Sequence, residues 1–207
     1  MNRLKDFLLL SIISISCLTS ATFVSAQVER KLAIEPSYDL ILQLIVGSND
    51  PAVRGDLPQN FGVVSRDLKN IFTFSNYRVA ATFIGRIANT GSFEYKSVSD
   101  IFGQESSNDS RTFLDWSVGG LTSFPDASGQ ISFQAQTFRF GARVPVKTGQ
   151  SKNTEGQMVD IINYGAVGLN MNRISLSGNK PTLIGTLSLP KANGTIFLIM
   201  TIKAVEN

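Results

Sequence analysis

Two-residue alternation dominates the chain. Over residues 37–46, Tyr38, Leu40, Leu42, Leu44 and Val46 share one face, and Asp39, Ile41, Gln43 and Ile45 share the other. That is the period of a β-strand. Gly47-Ser-Asn-Asp-Pro51 ends it with turn formers. The period then changes. Val64, Leu68, Ile71 and Phe72 recur at helical spacing with Arg66, Asp67 and Lys69 between them, which predicts a helix over residues 59–72. Gly62 weakens its first turn. A single apolar stripe implies that this helix packs on one face of a sheet.

From residue 75 the alternation returns. Tyr77, Val79, Ala81 and Phe83 alternate with Arg78, Ala80, Thr82 and Ile84, and Gly85 marks an expected bulge. Asn89-Thr-Gly91 predicts a hairpin turn, with residues 92–98 as the return strand. Residues 103–111 are polar and turn-rich, 112–118 form a short strand around Trp116, and 119–129 read as a loop with Pro125. Residues 130–140 alternate through Ile131, Phe133, Ala135 and Thr137, then slip to Phe138 and Phe140; 143–148 read as a second short strand. Residues 149–157 (GQSKNTEGQ) hold no apolar side chain. They read as a hairpin tip rather than a linker, because strand patterns resume at 158–164 and 167–171.

The chain closes on two apolar runs, residues 182–189 and 195–205, joined by Pro190-Lys-Ala-Asn-Gly194. This is a strand–turn–strand signal. In the second run Ile196, Leu198, Met200 and Ile202 lie on one face and Phe197, Ile199 and Thr201 on the other. Both faces are apolar, so this strand is expected at the middle of a sheet, covered on both sides. The order of elements, about nine strands and one main helix, implies a mostly β to α+β fold with antiparallel two-layer or sandwich-like sheets. Frequent glycine and 14 phenylalanines lean the same way.

The N-terminus changes the picture by fixing a compartment. Arg3 and Lys5 precede an apolar stretch from Phe7 to Leu18, and Val24-Ser25-Ala26 presents small residues where a signal peptidase reads. Residues 1–26 are therefore expected to be a signal peptide cut between Ala26 and Gln27. Residues 27–36 would be a lead-in and 37–207 a single exported domain. A membrane anchor needs roughly 20 predominantly apolar residues, and Ser11, Ser14, Ser16, Thr19, Ser20 and Thr22 interrupt the stretch. Lipidation at Cys17 is the alternative, against which Ser14 stands where an aliphatic residue belongs. A membrane would then be reached only through an uncleaved or lipidated N-terminus.

Cys17 is the sole cysteine and there is no histidine. Once residues 1–26 are removed, the chain has no disulfide partner, no thiolate and no Cys/His metal site. Without His there is no Ser-His-Asp triad. No cofactor is expected, since no glycine cluster makes a dinucleotide or phosphate loop. Loss of Arg3, Lys5 and Asp6 leaves the charge one unit below +3, too small to imply nucleic acid. A carboxylate pair drawn from Asp100, Glu105, Asp109, Asp115 and Asp126 could serve glycoside hydrolysis, but acids in turn-rich segments are ordinary turn residues. Asn49-Asp50 and Asn108-Asp-Ser110 offer oxygen ligands without the EF-hand spacing. Tyr77, Tyr95 and Trp116 are a possible stacking platform for sugars. Arg78 and Arg86 are possible anion contacts if both face outward.

Leu40-Ile-Leu-Gln-Leu-Ile-Val-Gly47-Ser48, the helix that follows it and Tyr77-Arg-Val-Ala-Ala-Thr-Phe83 resemble the small N-terminal domains of secretin-type outer-membrane proteins. They look closer still to exported bacterial envelope proteins built from the same piece. Ser177-Gly-Asn-Lys-Pro-Thr-Leu-Ile-Gly185-Thr and Ile196-Phe-Leu-Ile-Met-Thr201 are similar to the end of secretin core domains. Thr201-Ile202 stands where that family carries Thr-Pro, and long amphipathic membrane-inserting strands are missing. The resemblance covers about a third of the chain. It implies a non-enzymatic envelope protein with an assembly or scaffolding role and an envelope protein partner. It implies no catalytic residue and no pore. A carbohydrate- or small-ligand-binding β-domain is the alternative, and a carboxylate-dependent hydrolase a third reading.

Overall fold

The computed structural model describes residues 35–50, 55, 57–99, 101, 111–188 and 194–205. The expected cleavage site Ala26–Gln27, Cys17, Asp100, Glu105, Asp109 and Asn108-Asp-Ser110 lie outside the described residues.

Eight strands and one helix are seen among the described residues. Strand β1 (Ser37–Ser48) is followed by a 3-10 turn (Gln59–Phe61) that runs into helix α1 (Gly62–Ile71). The break falls at Gly62, where helix propensity is weakest. Then come β2 (Asn76–Ala88), β3 (Ser92–Ser99), β4 (Thr112–Pro125), β5 (Ile131–Lys152), β6 (Met158–Ser177), β7 (Thr182–Ser188) and β8 (Gly194–Ala204). They make two antiparallel four-stranded sheets, β2-β1-β8-β7 and β3-β4-β5-β6. The fold is mostly β, with antiparallel sheets packed as layers and a single short helix.

One hydrophobic core lies between the sheets. β1 contributes Leu40, Leu42, Leu44 and Val46; β8 contributes Ile196, Leu198, Met200 and Ile202; β4 and β5 answer with Leu114, Trp116, Val118, Phe133, Phe138 and Phe140. A second cluster covers the opposite face of the first sheet. Phe61, Val64 and Leu68 of the helical segment pack there on Ile45, Tyr77, Phe197 and Ile199. β8 is therefore central and buried on both faces, as its two apolar sides require. Phe197 sits edge-on to Phe72 at 4.7 Å and also touches Phe74 and Tyr77.

Three local expectations are corrected. Asn89-Thr-Gly91 does not close a hairpin: β2 and β3 belong to different sheets, and the turn carries the chain from one layer to the other. It is tied to the second sheet instead, Thr90 N–H donating to Leu121 O (2.6 Å) and Gly120 N–H to Gly91 O (3.1 Å). Gly85 is no bulge. The register slips opposite Leu44/Ile45, at Ala80. Gly85 leaves room for the Phe93 ring, which a Cβ would meet at 2.3 Å. Finally, the predicted loop over 119–129 is mostly strand, since β4 runs on through the glycines to Pro125.

The two hairpin turns that join β4 to β5 and β5 to β6 are copies of one device. Asp126-Ala-Ser-Gly-Gln130 joins β4 to β5 and Asn153-Thr-Glu-Gly-Gln157 joins β5 to β6. In each, the first side chain accepts backbone N–H bonds from positions two and four further on, and glycine takes a positive φ, +77° at Gly129 and +81° at Gly156. This is hairpin chemistry in which glycine carries the left-handed residue. Residues 149–157 thus end in a built hairpin tip.

Truncating Phe197→Ala removes a fully buried ring from the helix-side cluster. It should cost about 3–5 kcal/mol in urea unfolding. Ile84→Ala, at an exposed site on the same sheet, should change stability by no more than about 0.5 kcal/mol.

Candidate interaction surface

The proposed sugar platform does not assemble. Trp116 is 1% exposed and packs in the inter-sheet core against Phe93 and Tyr95. Tyr77 is buried in the other cluster, on the helix side. Its hydroxyl donates to Leu68 O (3.1 Å) and Phe72 O (3.3 Å), satisfying carbonyls at the end of α1. Burial pushes its phenol above the ordinary value. Ring residues on alternating strand positions point into the core because that face is the one covered.

Arg78 and Arg86 do not form a stripe either. Arg86 lies opposite Asp39 and bonds it at 2.8 Å; this hydrogen-bonded ion pair raises the guanidinium pKa. Arg78 lies opposite Val46, on the core-facing side. Eight residues apart on a regular strand would share a face, but the slip at Ala80 inverts the alternation.

Of the candidate acids, Asp115 and Asp126 are described. They are eleven positions apart on an extended segment. At roughly 3.3 Å per residue that is about 36 Å, far beyond the roughly 5 to 9.5 Å of a glycosidase pair. Asp126 organises its own turn: the Ser128 hydroxyl (2.7 Å) and amide (2.8 Å), then the Gln130 amide, bond its carboxylate and lower its pKa. Asn49 is similarly occupied, its side-chain oxygen accepting from the Ser75 amide at 2.8 Å. Among the described residues no cluster of three or more His, Cys, Asp or Glu could hold a metal ion.

What the structure does build is a projecting ribbon. β4 pairs with β5 only as far as Phe113↔Arg143. From Val144↔Gly165 to Lys152↔Met158, β5 and β6 have only each other among the described residues. The core-facing side of the second sheet continues along this ribbon as Val146, Ile161 and Val159, which are 39%, 44% and 47% exposed. The reverse side carries Tyr164 tilted against Phe113 (ring centroids 5.7 Å apart) with the Arg143 guanidinium over the Phe113 ring (5.6 Å). Lys147 and Asp160 form an ion pair there at 2.6 Å, and Gln150 donates to the same carboxylate at 2.7 Å. Among the described residues no strand pairs with the outer edge of the 20-residue β6. A long free edge beside exposed apolar side chains is a surface suited to another polypeptide. The sequence signalled this weakly, because the breaks after 148 and 164 hid the length of both strands.

Two outcomes check these assignments. Tyr77→Phe should lose about 0.5–1.5 kcal/mol of stability in urea unfolding, the worth of a buried hydroxyl bond. Asp126 has its folded pKa depressed, so its contribution is present above the unfolded value and is lost as pH falls through the folded one. Asp126→Ala should lower the urea midpoint at neutral pH, and the gap to the native chain should close as pH falls below about 4.

No protein family matches the chain, and no curated protein does. Solved structures match at low similarity. The InvG secretin-domain β-barrel from the Salmonella SPI-1 injectisome is 11% identical with a TM-score of 0.32, over 84% of this chain and 64% of that one. InvG from residue 176 to its end, in the open-gate state, is 13% identical with a TM-score of 0.36, over 95% of this chain and 66% of that one. The basal-body structure of InvG, PrgH and PrgK from Salmonella is 11% identical with a TM-score of 0.26, over 84% and 46%. This chain thus spans less than two thirds of the InvG chains it matches. The secretin resemblance in the sequence recurs as a weak structural one, and function is read from the molecule's own surface.

Proposed function

We propose that this chain is a non-enzymatic interaction domain of the bacterial cell envelope, which docks a partner protein through the β5–β6 ribbon and the free edge of β6. The observation that carries this reading is the ribbon itself. An isolated two-stranded ribbon is marginal in water, yet this one exposes Val146, Met158, Val159 and Ile161 beyond the sheet that would support it. Apolar side chains there add little to the core and much to a contact. A strand from the partner laid along β6 would satisfy its unpaired backbone groups, and Val159 and Ile161 would meet the partner's apolar side chains. The envelope location rests on the signal-like N-terminus, with residues 27–207 as the exported form.

Site-specific photo-crosslinking in the cell envelope tests the contact. A photoreactive residue at Ile161 should give a discrete protein adduct, and one at Ile84 should give none. Ile161→Lys together with Val159→Lys should abolish the adduct formed from position 146 while leaving the unfolding midpoint within about 0.5 kcal/mol of native. Equal labelling from Ile161 and Ile84 would sink the docking reading. The intact mass of the protein from the soluble periplasmic fraction should correspond to a chain beginning at Gln27; an acylated Cys17 in the membrane pellet would move the domain to a lipid-held location.

A further inference from the structure

Three neighbouring strands break their alternation at the same level. On β4 the core-facing residues run Leu114, Trp116, Val118 and then Leu121; on β5, Phe133, Ala135 and then Phe138, Phe140; on β6, Leu169, Met171 and then Ile174, Leu176. Each strand spaces them by two and then once by three. The extra residues lie in line, because Gly119, Thr137 and Asn172 are cross-strand partners and so are Leu121, Ala135 and Ile174. Each strand therefore turns two consecutive residues away from the core: Gly119-Gly120, Gln136-Thr137 and Asn172-Arg173. No register shift accompanies this, since all three strands carry the same insertion.

The result is a concavity of about 550 Å³ on the outer face of the second sheet, lined by Gln134, Gln136, Thr137, Asn172 and Arg173. The glycines on β4 make room for it. A Cβ on Gly120 would sit 2.9 Å from the Gln136 side chain, and one on Gly119 would sit 2.7 Å from the Thr137 hydroxyl.

A bend alone explains the insertions but not the residues. Gly120 takes φ +62°, and Arg173 takes φ +56° at the same level. Glycine occupies that conformation without strain, whereas any residue with a Cβ, arginine included, is held there at a cost. Strained backbone of this kind marks places where a side chain is needed. The Arg173 side chain has no hydrogen-bond or ion-pair partner among the described residues, and no carboxylate lines the concavity. Three carboxamides and a hydroxyl surround it, all able to donate and accept.

The geometry points to a binding site for an acidic saccharide. The guanidinium would take the carboxylate in bidentate fashion. The amides of Gln134, Gln136 and Asn172 and the Thr137 hydroxyl would bond sugar hydroxyls, which are likewise both donors and acceptors. The volume suits a short oligosaccharide, and no aliphatic or aromatic side chain lines it to stack a nucleobase or hold a lipid tail. This site lies on the outer face of β4–β6, where the second sheet covers the core, and is independent of the ribbon contact.

Titration of the purified protein with trigalacturonate, followed by amide NMR, tests the assignment, with maltotriose as the neutral control. Side-chain amide signals of Gln134, Gln136 and Asn172 should shift with trigalacturonate and bind it at least about tenfold more tightly than maltotriose, the effect of one charge-assisted bond. Arg173→Gly removes the cation and suits the backbone, so it should keep or raise the thermal midpoint while weakening trigalacturonate at least about tenfold. No shift at about 10 mM trigalacturonate, a range well above ordinary site affinities, would overturn the site. Unchanged affinity in the folded Arg173→Gly protein would do the same, and equal binding of maltotriose would overturn its acidic specificity.

Discussion

β1 and β8 run side by side through the middle of the first sheet, and β8 has no solvent face for most of its length. Double burial of this kind is rare in antiparallel sheets, which usually keep one face wet. It requires two separate covers. The second sheet supplies one, through Trp116, Phe133, Phe138 and Phe140, and α1 supplies the other, through Val64 and Leu68. The helix is therefore a lid that seals Phe197 and Ile199 rather than an independent element. Tyr77 fastens it by bonding the carbonyls at its end.

The second sheet answers to a different demand, with one face in the core and the other in water. Apart from the Phe113–Tyr164 pair, its outer face carries the polar residues Glu94, Lys96, Ser117, Arg139 and Asn170. That freedom lets the sheet carry features the first cannot, namely the ribbon that outgrows its neighbours and the row of paired outward residues that hollows its surface. Both departures from regular alternation occur where burial does not dictate every side chain.

Much of this was legible in the chain. The two faces of the final strand, the helical stripe at Val64, Leu68 and Ile71, and the slip from Ala135 to Phe138 are direct prints of burial on sequence. What escaped was set by partners distant in the chain. Asn89-Thr-Gly91 has the composition of a hairpin turn whether it joins two strands of one sheet or two layers, because the choice is made by what β3 pairs with. Gly85 and Gly119-Gly120 read as breaks, yet they sit inside strands and make room for Phe93, Gln136 and Thr137. The exposed sugar platform failed because aromatic residues at alternate positions are silent about which face is covered. The inversion of Arg78 relative to Arg86 depended on a slip at Ala80 that no local residue announces.

The two crossings between layers divide the polypeptide in an uneven way. β3 to β6 form one contiguous meander, while the other sheet is assembled from the two ends of the chain, with Tyr38 lying beside Ala204. The closing of that sheet must wait for β8 to arrive. A chain threaded N-terminus first through a translocation channel would hold β1 and β2 without their central neighbour until β8 emerged. Such late, long-range pairing makes for slow folding and leaves apolar strand surface open to chaperones in the meantime. The order in which the segments emerge makes β8 the step that completes the first sheet.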